Sequence, residues 1–229
     1  MRAAEGGLHK APQARPPVDV SVGVVDYGMG NRRSVEKALE HVGAETWVTG
    51  DPDELRAAAA LVLPGVGAFP RAMENLRAQG LDGLLRERVA AGTPTLGICL
   101  GMQLAFDGSS ELGGAAGLGI VPGQVEPLDS AGLKLPHIGW TEVEFTGESE
   151  LARALPTHGA FYHVHSFAAQ PLDERDVLAR ARYGTSFATA VARGSFYGVQ
   201  FHPEKSSGLG LRLLGAFAEL TRAATGAAA

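Results

Sequence analysis

Cysteine is nearly absent from this chain: Cys99 is alone among 229 residues. One thiol cannot close an internal disulfide, so a disulfide-stapled secreted scaffold is excluded and a reducing, cytoplasmic setting is expected. Long apolar runs are missing too, and no stretch of the sequence is long enough to cross a bilayer as a helix. There is no excess of basic charge. The formal net charge of −5 gives no electrostatic case for nucleic acid. Residues 1–17 carry Arg2, Lys10 and Arg15 with three prolines but no apolar core, so no secretory signal is expected there. They read as a disordered extension, and 223–229 as a disordered tail. The remaining 18–222 contain no repeat and no linker, which makes one domain.

What is present is an alternation of strand and helix. Val18, Val20, Val22 and Val24 mark a first strand. Asn31 is placed to cap a helix whose Val35, Ala38, Leu39 and Val42 share a face, and Gly43 ends it. Glu45 to Val48 and Ala60 to Leu63 read as strands. Leu76, Leu84, Leu85 and Val89 mark helical segments broken near Gly80, and the run ending at Cys99 is a fourth strand. A β-α-β-α series predicts a parallel sheet covered on both faces. From about Gly113 the chain turns glycine-rich and strand-like through Val121, Val125, Val143 and Phe145, and Leu209 to Ala223 closes it as a helix.

The lone cysteine sits where such a strand meets a helical pattern, in Gly97-Ile98-Cys99-Leu100-Gly101. That is the layout of a nucleophile elbow with sulfur in place of a serine oxygen. A helix start behind the thiol favours the thiolate and offers free N–H groups to an oxyanion. A base is available far downstream, in Gln200-Phe201-His202-Pro203-Glu204. His202 and Glu204 are spaced to share a face of extended chain, so that the carboxylate can orient the imidazole while the imidazole takes the thiol proton. Gly28-Met29-Gly30 and Gly65-Val66-Gly67 each lack the third glycine of a dinucleotide fingerprint, with Arg33 and Pro70 in its place. A nucleotide cofactor site is rejected on that ground. His163 and His165 alternate onto one strand side, but spacing supplies no third metal ligand, and they read as structural histidines.

These motifs together resemble the triad-type (class I) glutamine amidotransferases, and more narrowly the glutaminase subunits of imidazole glycerol phosphate synthase. The narrowing segments are Asp26 to Asn31, Leu63 to Phe69, Pro136-His137-Ile138-Gly139-Trp140, and Gln200 to Ser206. With the elbow they run in family order over residues 18–222. Any one is modest evidence; the ordered set is specific.

The resemblance implies an α/β, flavodoxin-like, mostly parallel sheet flanked by helices, with antiparallel strands added in the second half. It implies hydrolysis of L-glutamine to glutamate and ammonia through a Cys99 thioester, with Cys99, His202 and Glu204 as triad and neither metal nor organic cofactor. The backbone N–H groups of Val66 and Leu100 would form the oxyanion hole. Gly67, Gln103, Glu111, His165, Ser166 and Phe167 would bind glutamine. The family often has tyrosine where Phe167 stands and asparagine where Thr141 stands. Ammonia would pass to the cyclase subunit HisF, a (β/α)₈ barrel that makes imidazole glycerol phosphate and AICAR, with Tyr27, Asn31, Trp140 and Lys205 at the interface. Two other readings stay open: a class I amidotransferase serving a different synthase or making pyridoxal phosphate, and a non-catalytic binding subunit on the same fold. The Pro136 to Trp140 segment and Lys205-Ser206 argue against the first, and the intact Cys99, His202 and Glu204 against the second.

Overall fold

The computed structural model describes residues 20–226, so the extension expected over 1–17 lies outside the described residues. The elements run β1 (Ser21–Val25), α1 (Arg32–His41), β2 (Glu45–Thr49), α2 (Pro52–Ala57), β3 (Ala60–Gly65), α3 (Phe69–Ala78), α4 (Leu81–Ala90), β4 (Thr95–Cys99) and α5 (Leu100–Leu104). There follow β5 (Phe106–Ser109), β6 (Ala115–Ala116), β7 (Val121–Pro127), β8 (His137–Phe145), α6 (Glu150–Arg153), β9 (His158–His165) and β10 (Phe167–Pro171). The chain closes with β11 (Val177–Tyr183), β12 (Thr185–Arg193), β13 (Phe196–Val199) and α7 (Ser207–Gly226).

The strands form one sheet in the order β2-β1-β3-β4-β13-β12-β10-β7-β5-β6. The β2-β1-β3-β4-β13 part is parallel throughout. Beyond β13 the ladders to β12, β10 and β7 are antiparallel, as are those joining β11, β8 and β9. This is the α/β architecture expected, with its antiparallel strands in the second half.

Parallel strands are buried on both faces and so are apolar along their length. One face packs Val22, Val24, Val62 and Ile98 against Val35 and Leu39 of α1 and Leu213, Leu214 and Phe217 of α7. The other packs Leu61 and Leu63 against Leu55 of α2, Met73 and Leu76 of α3, and Leu84 and Leu85 of α4. Gly80 separates α3 from α4 with a left-handed φ of 68°. Asn31 occupies the N-cap position of α1, but its side chain makes no capping hydrogen bond. The α7 helix continues to Gly226, so the tail read as starting at 223 begins inside a helix. The apolar run of alanines there carries no breaker until Gly226.

Candidate active site

Three neighbouring parallel strands end side by side and deliver the site, at the carboxyl edge where open α/β sheets bind ligands. In the register Gly65 of β3 pairs with Cys99 of β4, and Val199 of β13 pairs with Ile98. The chain beyond β3 supplies Val66 and Gly67, β4 supplies the thiol, and the chain beyond β13 supplies Gln200 and His202.

Cys99 has φ 54° and ψ −110°, a conformation L-residues seldom adopt. Such strain is characteristic of a nucleophile held on a sharp strand-to-helix turn. The flanking glycines answer a steric need. A Cβ on Gly97 would lie 2.7 Å from the Gly101 carbonyl oxygen, and one on Gly101 only 1.8 Å from that of Leu63. They are bare because backbone passes against backbone; the positive φ falls on the cysteine itself.

His202 Nδ1 lies 2.9 Å from Glu204 Oε1, both side chains buried. The other ring nitrogen is left for Cys99, which shares the cavity wall with His202 and whose Sγ lies 3.8 Å from the Val164 carbonyl oxygen. Burial disfavours the imidazolium, but the hydrogen bonds to Cys99 and Glu204 and their negative charge outweigh it and raise the pKa to about 9. The ring is therefore held ready to carry a proton beside the sulfur. Its backbone is fixed as well. His202 N–H donates to the Tyr162 carbonyl, and the buried Ser206 hydroxyl donates to the His202 carbonyl while accepting from Tyr162 N–H.

A cavity of about 290 Å³ opens over the thiol. Its walls include Val66, Gly67, Cys99, Leu100, Gln103, Glu111, His165, Ser166, Phe167, His202 and Lys205, so every residue read as catalytic, oxyanion-forming or glutamine-binding meets there except Glu204, which sits behind His202. Pro136 and Val164 complete the wall. Leu100 is the first residue of α5, so its N–H has no partner within that helix. Glu111 spends one carboxylate oxygen on Phe69 N–H, 2.7 Å away. It thereby caps α3, whose own N-cap residue Ala68 makes no side-chain bond.

Gln103 and Gln200 form a buried pair, and Gln200 is the member with no role assigned from the sequence. Gln103 Nε2 donates to the Phe167 carbonyl (3.0 Å) and to Gln200 Oε1 (2.9 Å), and Gln200 Nε2 lies 3.6 Å from Cys99 Sγ. With both its N–H groups spent, Gln103 keeps only its carbonyl oxygen for a ligand. The sequence signal for Gln200 was a lone amide in the apolar run Val199-Gln200-Phe201.

His163 and His165 are buried with every ring nitrogen engaged. His163 bonds the Phe161 carbonyl and Thr189 Oγ1; His165 bonds the Phe167 carbonyl and His137 Nδ1, and His137 reaches Thr141 Oγ1. Burial, the largest cause, drives the pKa of His163 to about 3 and of His165 to about 4. Both rings are neutral structural members.

One of the interface candidates is misplaced. Tyr27 is fully buried and donates its hydroxyl to the Pro64 carbonyl at 2.9 Å. A Cβ on Gly65 would strike that hydroxyl at 2.6 Å, so Tyr27 braces the strand leading to Val66 from beneath rather than meeting a partner. The resemblance placed it at the interface, and nothing local in Asp26-Tyr27-Gly28 signals that it turns inward. Trp140 is 54% exposed and Lys205 is exposed. Tyr162 joins them, its ring 6.1 Å from that of Trp140 and 6.0 Å from Lys205 Nζ. Asn31 is half-buried, and its neighbour Gly30 lies against the backbone of Pro64 and Gly65.

The family model for class I glutamine amidotransferases matches residues 23–218. The chain is 49% identical to the imidazole glycerol phosphate synthase subunit HisH of Moorella thermoacetica, over 88% of this chain and 95% of that protein. It is 48% identical to the HisH subunit of Methylococcus capsulatus (86% and 95% covered) and 45% identical to that of Bacillus subtilis (87% and 96%). Among solved structures, a glutamine amidotransferase superposes with a TM-score of 0.69 at 25% identity, covering 88% of this chain and 99% of that one. A putative GMP synthase subunit from Thermoplasma acidophilum shares the fold at 20% identity, again with a TM-score of 0.69, covering 91% and 97%. A thiol on a strained elbow, a carboxylate-backed imidazole and this span of likeness have one reading: the chain belongs to the class I glutamine amidotransferases, in the HisH subunit family of imidazole glycerol phosphate synthase.

Proposed function

We propose that the chain hydrolyses L-glutamine at Cys99 and hands the ammonia to a HisF-type cyclase, which uses it on a phosphoribulosyl-formimino intermediate to make imidazole glycerol phosphate and AICAR. The observation that carries this is the Cys99–His202–Glu204 line at the base of the cavity. The side-chain amide carbon of glutamine is attacked by the Cys99 sulfur, with the thiol proton on His202. The tetrahedral oxyanion faces the N–H groups of Val66 and Leu100. Collapse breaks the C–N bond, His202 protonates the leaving nitrogen, and ammonia departs from a Cys99 glutamyl thioester. Water then attacks the thioester with His202 as base, releasing glutamate and restoring the thiol. Glutamine's ammonium meets the acceptors Gln103 Oε1 and Glu111. The backbone of His165, Ser166 and Phe167 flanks its chain.

Ammonia protonates and escapes in water, which is the chemical reason for a docked acceptor enzyme. Asn31, Trp140 and Lys205 are the residues assigned to that contact. Among the described residues no helix is long and apolar enough to cross a membrane, and a cytoplasmic site of action fits a biosynthetic role.

The test is glutamate release by the purified chain alone, with the cyclase, and with cyclase plus its ribulosyl substrate, each beside Cys99→Ala. A low rate alone that rises strongly in the full mixture, and vanishes in Cys99→Ala, is expected. A rate indifferent to the cyclase would reject the partnership, and a rate that survives loss of Cys99 would reject the mechanism.

A further inference from the structure

The Phe167 carbonyl fixes the direction of a buried hydrogen-bond chain. A carbonyl only accepts, so the Gln103 side chain must point its NH₂ at it. The second N–H of that NH₂ meets Gln200 across 2.9 Å, and so Gln200 must answer with its oxygen. The Gln200 NH₂ is then turned the other way, 3.6 Å from Cys99 Sγ. Neither amide can flip without setting two donors or two acceptors against each other in a dry interior, at the cost of an unsatisfied polar group. Gln200 is fully buried and does not line the cavity, so solvent does not compete for its N–H and substrate does not reach it. Its backbone is pinned too, with its N–H donating to the Thr189 carbonyl at 2.8 Å.

We propose that Gln200 stabilises the reactive thiolate: its carboxamide, locked in orientation by Gln103 and the Phe167 carbonyl, presents an N–H donor to Cys99 sulfur from the side away from the substrate. A donor aimed at sulfur favours the thiolate over the thiol, and again favours the thiolate as leaving group when the thioester is hydrolysed. It acts beside His202, which holds the thiol proton while the sulfur is a thiolate. The other ionisable groups around the thiol are Tyr27 beneath β3, His165, Glu111 and Lys205 on the cavity wall, and Glu204 behind His202. Gln200 is not ionisable and keeps its N–H at every pH.

The inference rests on Cys99 being the nucleophile of the proposed function, but its test does not use glutamine or the cyclase. The pH profile of iodoacetamide alkylation of Cys99 is measured on the isolated full chain, for wild type, Gln200→Met and Gln200→Glu. Met keeps the length and removes the donor. Glu keeps an acceptor for Gln103 and puts an oxygen against the sulfur. Alkylation at pH 7 is expected to slow about tenfold or more in each, with Glu the slower, and the midpoint to move up by about one pH unit. In the wild-type chain the Gln200 side-chain amide proton resonances are expected to move with the same midpoint as alkylation. Wild-type alkylation profiles in both variants, or an amide signal unmoved through the thiol titration, would overturn the proposal.

Discussion

Gly101 leaves no room for even a methyl group. Its missing Cβ would stand 1.8 Å from the Leu63 carbonyl oxygen, on a strand that is buried and hydrogen-bonded on both edges. Gly101→Ala is expected to push α5 away from β3, costing about 1–3 kcal/mol or more in a urea midpoint and abolishing fast alkylation of Cys99. Gly83→Ala, where nothing lies within 4 Å, is the control and should leave the midpoint unchanged or raise it. Equal effects of the two substitutions would show that the elbow tolerates a side chain. At this scale the sequence was most legible for chemistry and least for sterics. Cys99, His202 and Glu204 are read from their identity; spacing paired His202 with Glu204, and the resemblance joined Cys99 to them. That Cys99 takes the positive φ, that Gly101 faces Leu63, and that Tyr27 turns inward all depend on contacts distant in sequence, which no local pattern encodes.

Strands and helices were legible wherever a period repeated. The valines of β1 and the apolar stripe of α1 declared themselves, whereas α2, α6 and the short β5 and β6 escaped because a turn or two of chain holds no full period. Phe106 stands two residues after α5, yet it pairs with Val121 in the sheet, since tertiary pairing overrides propensity. One element makes a measurable pH signature. β9 carries His163 and His165, buried and neutral, with pKa values lowered to about 3 and about 4. The unfolded chain takes up these protons near pH 6.5, and the folded chain resists them. Their contribution to stability is thus fully present above about pH 6.5 and drains as pH falls toward 4. His202 has the opposite sign. Raised to about 9, it stabilises fully below about pH 6.5 and loses that contribution as pH rises through 9. Stability is expected to peak near neutrality. Urea midpoints across pH 4.5–9 for wild type and His163→Gln check the acid limb, which should flatten in the variant by up to about 1.4 kcal/mol per pH unit. An acid limb as steep in His163→Gln as in wild type would remove His163 from the account.

On the whole molecule, the sheet brings together the cavity and the face proposed for recognition, which share one strand. β9 lends the Tyr162 carbonyl to His202 N–H, and the Tyr162 ring stands between Trp140 of β8 and the Lys205 ammonium. Lys205 itself borders the cavity, three residues past His202. A partner covering Trp140 and Lys205 would therefore press on the residue that positions His202. The two side chains should nevertheless contribute differently. An exposed tryptophan that becomes buried contributes through area and acts on dissociation, while a rim lysine contributes through long-range charge and acts on association. Trp140→Ala is expected to weaken cyclase binding by about 2 kcal/mol, roughly thirtyfold, with little dependence on salt. Lys205→Ala should weaken binding less, lower the association rate most at low salt, and reduce the cyclase-stimulated glutaminase rate. Neither should change the urea midpoint by more than about 0.5 kcal/mol, since both side chains lie at the surface. Surface-plasmon kinetics at two salt concentrations, run beside the stimulated rate, separate these effects. Unchanged affinity and unchanged stimulation in Lys205→Ala would take the lysine out of the coupling and leave Trp140 and the β8–β9 pair as the only route by which docking on this face reaches His202.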